Sequence, residues 1–151
     1  MMKTTFKFLL LIIILQACKD EPDPCPLCFT PPDNFYFEIV DKATGENLFR
    51  NGTYQPNDIK IINLADGGKE PFVFLDENDV DLIQTYPIGG MTETVSYSFN
   101  IGGLYMFTLY VVAERVNENC CSYTRYHEIR ILNSDFQYNP NTNIYTILVA
   151  Q

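Results

Sequence analysis

Val95-Ser96-Tyr97-Ser98-Phe99-Asn100-Ile101 alternates apolar and polar residues without a break. A period of two puts Val95, Tyr97, Phe99 and Ile101 on one face of a β-strand and the two serines and Asn100 on the other, so one face is buried and one is wet. Gly102-Gly103 follows at once and supplies the positive φ angles that a tight hairpin needs. Beyond it, Leu104–Val116 is a long apolar run in which Tyr105, Phe107, Leu109, Val111 and Ala113 recur at period two. Leu104, Met106 and Val112 fill the other phase, which predicts a central strand covered in part on both faces. The loop length sets the register. An odd loop places Val95, Tyr97, Phe99 and Ile101 on the same face as Tyr105, Phe107 and Leu109, whereas a two-residue loop matches them with Met106, Thr108 and Tyr110. The odd loop buries more apolar surface and is the expected one.

Outward from this hairpin the same grammar repeats. Asn34–Val40 reads as a first strand closed by the turn chemistry of Asp41-Lys42-Ala43-Thr44-Gly45, and a short Leu48-Phe49 precedes an Asn51-Gly52 turn. Strands are expected at about Asp58–Leu64, Phe72–Leu75 and Val80–Thr85, then at Tyr126–Asn133 and Ile144–Val149, with Ser134-Asp135 and Asn139-Pro140-Asn141 between the last two. Seven to nine short strands at spacings near ten residues, with no amphipathic helix, predict an all-β fold, an antiparallel β-sandwich spanning residues 34–151. Eleven Phe and ten Tyr with no Trp suit that architecture. A formal charge of −9 argues against a nucleic-acid-binding surface, which needs clustered Lys and Arg to neutralise phosphates.

Residues 1–17 obey different rules. Lys3 and Lys7 precede the apolar run Phe8–Leu15, which is too short to span a bilayer and reads as a cleavable export signal. Leu15-Gln16-Ala17-Cys18 resembles the lipobox of bacterial lipoproteins. That resemblance implies that Cys18 becomes the first mature residue and is lipidated, so the protein's membrane partner is reached through acyl chains; an ordinary signal peptide with an incidental cysteine is the alternative. Lys19-Asp20-Glu21 resembles the surface-export signal of Bacteroidota lipoproteins, which implies an outer-membrane address facing outward. Pro22, Pro24, Pro26, Pro31 and Pro32 make residues 18–33 an extended tether. The mature chain of 134 residues holds 8 basic and 19 acidic groups, a formal −11, and an anionic membrane surface holds such a domain at a distance.

Four further cysteines, Cys25, Cys28, Cys120 and Cys121, are an even number in an exported chain and read as disulfide partners. Three pairings are possible. The expected one joins the 25/28 pair to the 120/121 pair by one or two bonds and staples the tether to the domain; the alternative is a local Cys25–Cys28 bond with a vicinal Cys120–Cys121 bond. Cys25-Pro26-Leu27-Cys28 has redox spacing but sits in a proline-rich segment rather than at a helix start. A four-cysteine zinc site has suitable ligand types, but neighbouring Cys120 and Cys121 point to opposite sides of an extended segment.

Other chemistry is sparse. The single histidine, His127, is in phase with Ile129 and Ile131 and reads as a strand residue near a sheet end. No nucleophile elbow, zinc-protease motif or phosphate-binding glycine loop is present, so no catalytic residue and no cofactor is expected. Asp76, Asn78, Asp79 and Asp81 are weak calcium candidates on an acidic loop that lacks the glycine and closing glutamate of an EF-hand.

The lipobox, the acidic tether, the stretch Val40-Asp41-Lys42-Ala43-Thr44-Gly45-Glu46-Asn47-Leu48 and the late Glu118-Asn119-Cys120-Cys121 together resemble small surface-exposed lipoproteins of the Bacteroidota. The resemblance implies an immunoglobulin-like or transthyretin-like sandwich and no particular activity. Asp41-Lys42-Ala43-Thr44-Gly45-Glu46-Asn47-Leu48 is also similar to the first turn of carboxypeptidase-regulatory-like domains, with Phe49-Arg50-Asn51-Gly52 in place of their usual continuation. Two function classes follow. One is a displayed, non-catalytic module that binds a glycan or a protein partner; the other is a calcium- or zinc-dependent or hydrolytic domain. Exposed tyrosines gathered on one sheet face would favour a glycan.

Overall fold

The structure is a computed structural model that describes residues 28–77, 80–118 and 120–150. Residues 1–17, expected to be an export signal, and Cys18, Cys25, Asn78 and Asp79 lie outside the described residues. Eleven strands are present among the described residues: β1 (Cys28–Phe29), β2 (Tyr36–Asp41), β3 (Ile59–Asn63), β4 (Lys69–Glu70), β5 (Phe72–Leu75), β6 (Leu82–Thr85), β7 (Glu93–Ile101), β8 (Leu104–Glu118), β9 (Cys121–Leu132), β10 (Asp135–Asn139) and β11 (Ile144–Val149). They form two packed sheets, β1-β9-β8-β7-β3-β4 and β10-β11-β2-β6-β5. Pairing is antiparallel except where β1 meets β9 and β11 meets β2. This is the expected sandwich, with β1, β4 and β10 added to it.

The hairpin loop corrects the expected register. Ile101 pairs with Leu104, so the loop holds only Gly102 and Gly103, at φ 60° and 81°. Two consecutive left-handed residues make the tight turn whose twist matches the flanking strands, and glycine adopts them without strain. A two-residue loop alone would bury the wrong phase. Asn100 pairs with Tyr105 but Phe99 pairs with Phe107, so Met106 is an extra residue that forms a β-bulge and resets the parity. Phe107, Leu109 and Val111 thereby reach the interior opposite Phe99, Tyr97 and Val95. Tyr105, expected on the buried face, is 46 % exposed.

The core fills the space between the sheets. The Phe99 and Phe107 rings stack at 4.3 Å between centroids, and Phe37 of the facing sheet packs against them at 4.9 and 5.1 Å. Ile39, Ile83 and Ile147 from one sheet meet Ile61, Ile101 and Leu109 from the other, all fully buried. Each such side chain contributes roughly 1.5–3 kcal/mol by leaving water.

The segment read as tether enters the fold sooner than expected. Cys28 is in register with Cys121 and the two form a disulfide, while the Thr30 amide donates to the Ser122 carbonyl at 2.8 Å. The Arg115 guanidinium lies 4.8 Å over the Phe29 ring and donates to the Thr30 carbonyl at 3.0 Å. The expected link between the two cysteine pairs is thus present. Closing a loop across 93 residues disfavours the unfolded chain by about 4.7 kcal/mol in the chain-entropy model.

Candidate functional site

β8 and β9 form the longest ribbon of the molecule. The inner face of β8 presents buried Val111 and Ala113, and the outer face presents Tyr110, Val112 and Glu114. On β9, Glu128 pairs with Val112 but Tyr126 pairs with Ala113, leaving His127 as an extra residue. The bulge has a clear cause. Tyr126 packs edge-on against Phe35 in the interior at 5.9 Å, and Ile131 is also buried, yet one is an even position and the other odd. A regular strand cannot bury both, so one inserted residue shifts the phase between them. His127 is therefore out of phase with Ile129 and Ile131, contrary to the sequence expectation, and lies on the outer face.

There its Nε2 is 2.9 Å from Glu114 Oε2. Arg125 Nη1 approaches the same carboxylate at 3.3 Å, Arg125 Nη2 donates to the Tyr123 hydroxyl at 3.0 Å, and that hydroxyl donates to Glu118 Oε2 at 3.1 Å. Farther along the ribbon, Arg130 Nε lies 2.9 Å from Glu128 Oε1, with its guanidinium 4.7 Å above the Tyr110 ring. The hydrogen bond from His127, helped by the Arg125 charge, holds the Glu114 carboxyl below the ordinary glutamate range. An ionised carboxylate only accepts, so Nε2 is the nitrogen that carries the hydrogen.

An open depression of about 570 Å³ sits beside this pair, lined by Thr92, Glu93, Thr94, Val112, Glu114 and His127. Two of its polar side chains are already engaged: Thr92 Oγ1 accepts the Arg115 amide at 3.0 Å and Glu93 Oε1 accepts the Gly89 amide at 2.6 Å. Its histidine and carboxylate face bulk water rather than the enclosed, water-excluding environment in which such pairs do proton transfer on a bound substrate. What the face presents is an order of opposite charges, each ion pair weak by itself.

The opposite sheet carries a second concavity, of about 300 Å³, beside Glu38, Glu46, Asn47, Arg50 and Asn51. Asn47 is buried and fully bonded. Its Oδ1 accepts the Phe49 and Arg50 amides at 2.9 and 3.2 Å, and its Nδ2 donates to the Asp81 carbonyl at 3.1 Å and to Glu38 Oε1 at 3.4 Å. Asp81, one of the calcium candidates, spends its carboxylate on Arg50 Nε at 3.0 Å. Asp76 follows β5, and Asn78 and Asp79 fall outside the described residues. Among the described residues no group of three or more His, Cys, Asp or Glu is placed to hold a metal. Cys28, Cys120 and Cys121 are all disulfide-bonded, so these sulfurs offer no thiolate to a metal.

The exposed tyrosines do not form a platform. Tyr86 follows β6, Tyr105 opens β8 and Tyr138 lies on β10. Tyr110 and Tyr123, on the outer face, each carry an arginine over the ring, at 4.7 and 5.8 Å. The His127–Glu114 pairing escaped the sequence reading, although its signal is present: Tyr126 fits the interior phase of one half of β9, and Ile129 and Ile131 fit the other. Comparison with protein-family models, curated proteins and solved structures finds no match to this chain.

Proposed function

We propose that this protein is a lipid-anchored module of the outer membrane, facing the cell exterior, that binds a protein partner through the outer face of β8 and β9 without catalysing a reaction. The ladder of half-exposed opposite charges from Glu118 to Arg130 carries this reading. A protein surface of complementary charge order matches such a ladder, and a sugar ring finds the aromatic faces of Tyr110 and Tyr123 already occupied by guanidinium groups. The Cys28–Cys121 bond supports the address, because disulfides persist in oxidising compartments. It also ties Cys28, at the domain end of the tether, to the start of β9.

A photo-cross-linking residue at Tyr110 or Arg130, on intact cells, is expected to capture one and the same protein, whereas the same group at Val73 on the other sheet captures none. Equal capture from both sheets, or strong binding across a glycan array with no cross-linked protein, would overturn the reading. The Cys18→Ala variant tests the anchor separately: it is expected to lose fatty-acid labelling and to leave the membrane fraction.

A further inference from the structure

A sheet edge exposes unpaired backbone donors and acceptors, and most edges here carry a device that blocks pairing. β4 is two residues long and both are charged, Lys69 and Glu70. β1 is also two residues long, and the stretch of β9 beyond it carries Arg125, Glu128, Arg130 and the His127 bulge. β5 begins after Pro71 and is followed by Asp76 and Glu77. β10 is longer than β1, β4 and β5 and carries no bulge; Pro140 follows it, outside the ladder. Its five residues pair with β11 in unbroken register, all are exposed, none is proline or lysine, and its one charge, Asp135, already holds Lys42 Nζ at 2.6 Å.

We propose that β10 is a self-association edge: two copies pair their β10 strands antiparallel about a two-fold axis at Gln137, joining two five-stranded sheets into one of ten. The strand is complementary to itself in that register. Phe136 lies opposite the partner's Tyr138 and Tyr138 opposite the partner's Phe136, giving two aromatic cross-strand pairs. Asp135 lies opposite the partner's Asn139, so no like charges meet. All five residues pair, whereas an axis at Phe136 or Tyr138 leaves a ladder of only three. Phe136 and Tyr138 are 42 % and 46 % exposed and pack on one side alone, against Tyr145 at 6.1 and 4.6 Å. A second copy supplies the missing cover. An edge of this length buries less than the roughly 1,200 Å² of a standard interface, so a dissociation constant on the order of 10–100 µM is expected.

Sedimentation velocity of the purified protein from about 1 µM to about 1 mM tests this. The expected result is a reversible monomer–dimer equilibrium. Gln137 is exposed, so Gln137→Lys and Gln137→Glu keep the fold, which near-ultraviolet circular dichroism checks. Each variant alone places like charges opposite one another and dimerises roughly two- to fivefold more weakly, and an equimolar mixture associates on the order of tenfold more tightly than either. A protein monomeric throughout would overturn the proposal and leave the edge to a different partner. Dimers indifferent to both variants and to their mixing would overturn it as well, by placing the second copy elsewhere.

Discussion

Tyr126→Phe removes one oxygen and leaves the ring, which makes it a clean probe of how the N-terminal segment is held. The Tyr126 hydroxyl donates to the Ile88 carbonyl at 2.7 Å and accepts the Asp33 amide at 2.8 Å. It thus ties the entry to β2 to the loop after β6. Ile88 is 3 % exposed, so its carbonyl finds no ready substitute and its loss costs roughly 1–2 kcal/mol; Asp33 is exposed and water replaces its bond at about 0.5 kcal/mol. The ring keeps its edge-on contact with Phe35, so no cavity term enters. The sum, about 2 kcal/mol, divided by a urea m-value of roughly 1.5 kcal/mol/M, lowers the denaturation midpoint by about 1.3 M at unchanged m. Tyr110→Phe, on the outer face, is the control and stays within about 0.5 kcal/mol of wild type. A midpoint shift below about 0.3 M for Tyr126→Phe, or an equal shift for Tyr110→Phe, would refute the assignment of the hydroxyl as a structural clamp.

Two further outcomes are expected. Gly89 has φ 97°, and a Cβ there would strike the Thr124 side chain and lie 3.1 Å from Ala113 Cβ, so Gly89→Ala loses about 2–4 kcal/mol in urea denaturation while neighbouring Gly90→Ala, with open space around it, stays near wild type. Burial pushes the hydroxyls of Tyr97 and Tyr145 up to about 12, from an ordinary value of 10.0. Between those values the unfolded chain releases protons that the native state retains, so stability falls as pH rises from 10 towards 12; a phenolate absorbance titration should show a late-ionising fraction, and a flat stability profile over that window would contradict it.

The strands were legible where one face is buried and the other wet. Val95–Ile101, which alternates strictly, lies within β7, and the short apolar, β-branched and aromatic runs Phe72–Leu75 and Ile144–Val149 have the expected bounds because turn residues flank them. β10 is harder to read: its alternation is only five residues long, with two aromatics between the turn residues Ser134-Asp135 and Asn139-Pro140-Asn141, and all five of its residues are exposed. β1 was missed for another reason: Cys28-Phe29 is too short to carry a period and is placed by a covalent bond to Cys121. The hairpin expectation holds for the burial of Phe107 and Leu109 and fails for Tyr105 and for the loop length. Loop length and face are separable variables once a strand can bulge, and Met106, a flexible side chain that is itself buried, absorbs the extra position.

The two bulges explain why the candidate site lies where it does. Both flank β8, one at Met106 against β7 and one at His127 against β9. In each case apolar residues separated by the wrong parity, Ile101 and Phe107 across the hairpin or Tyr126 and Ile131 along β9, demand the same interior. The demand is large, since an aromatic or aliphatic side chain turned outward forgoes roughly 1.5–3 kcal/mol, more than the ladder hydrogen bond of about 1 kcal/mol that a bulge disrupts. Core packing therefore selects the bulge, and the bulge selects which polar residue faces out. His127 meets Glu114 as a by-product of burying its neighbours, so the outward charge pattern from Glu118 to Arg130 is held by the interior beneath it rather than by its own weak ion pairs. A face built this way keeps its shape when any single charge is removed, so charge substitutions at Glu114 or Arg125 test the proposed binding without testing folding.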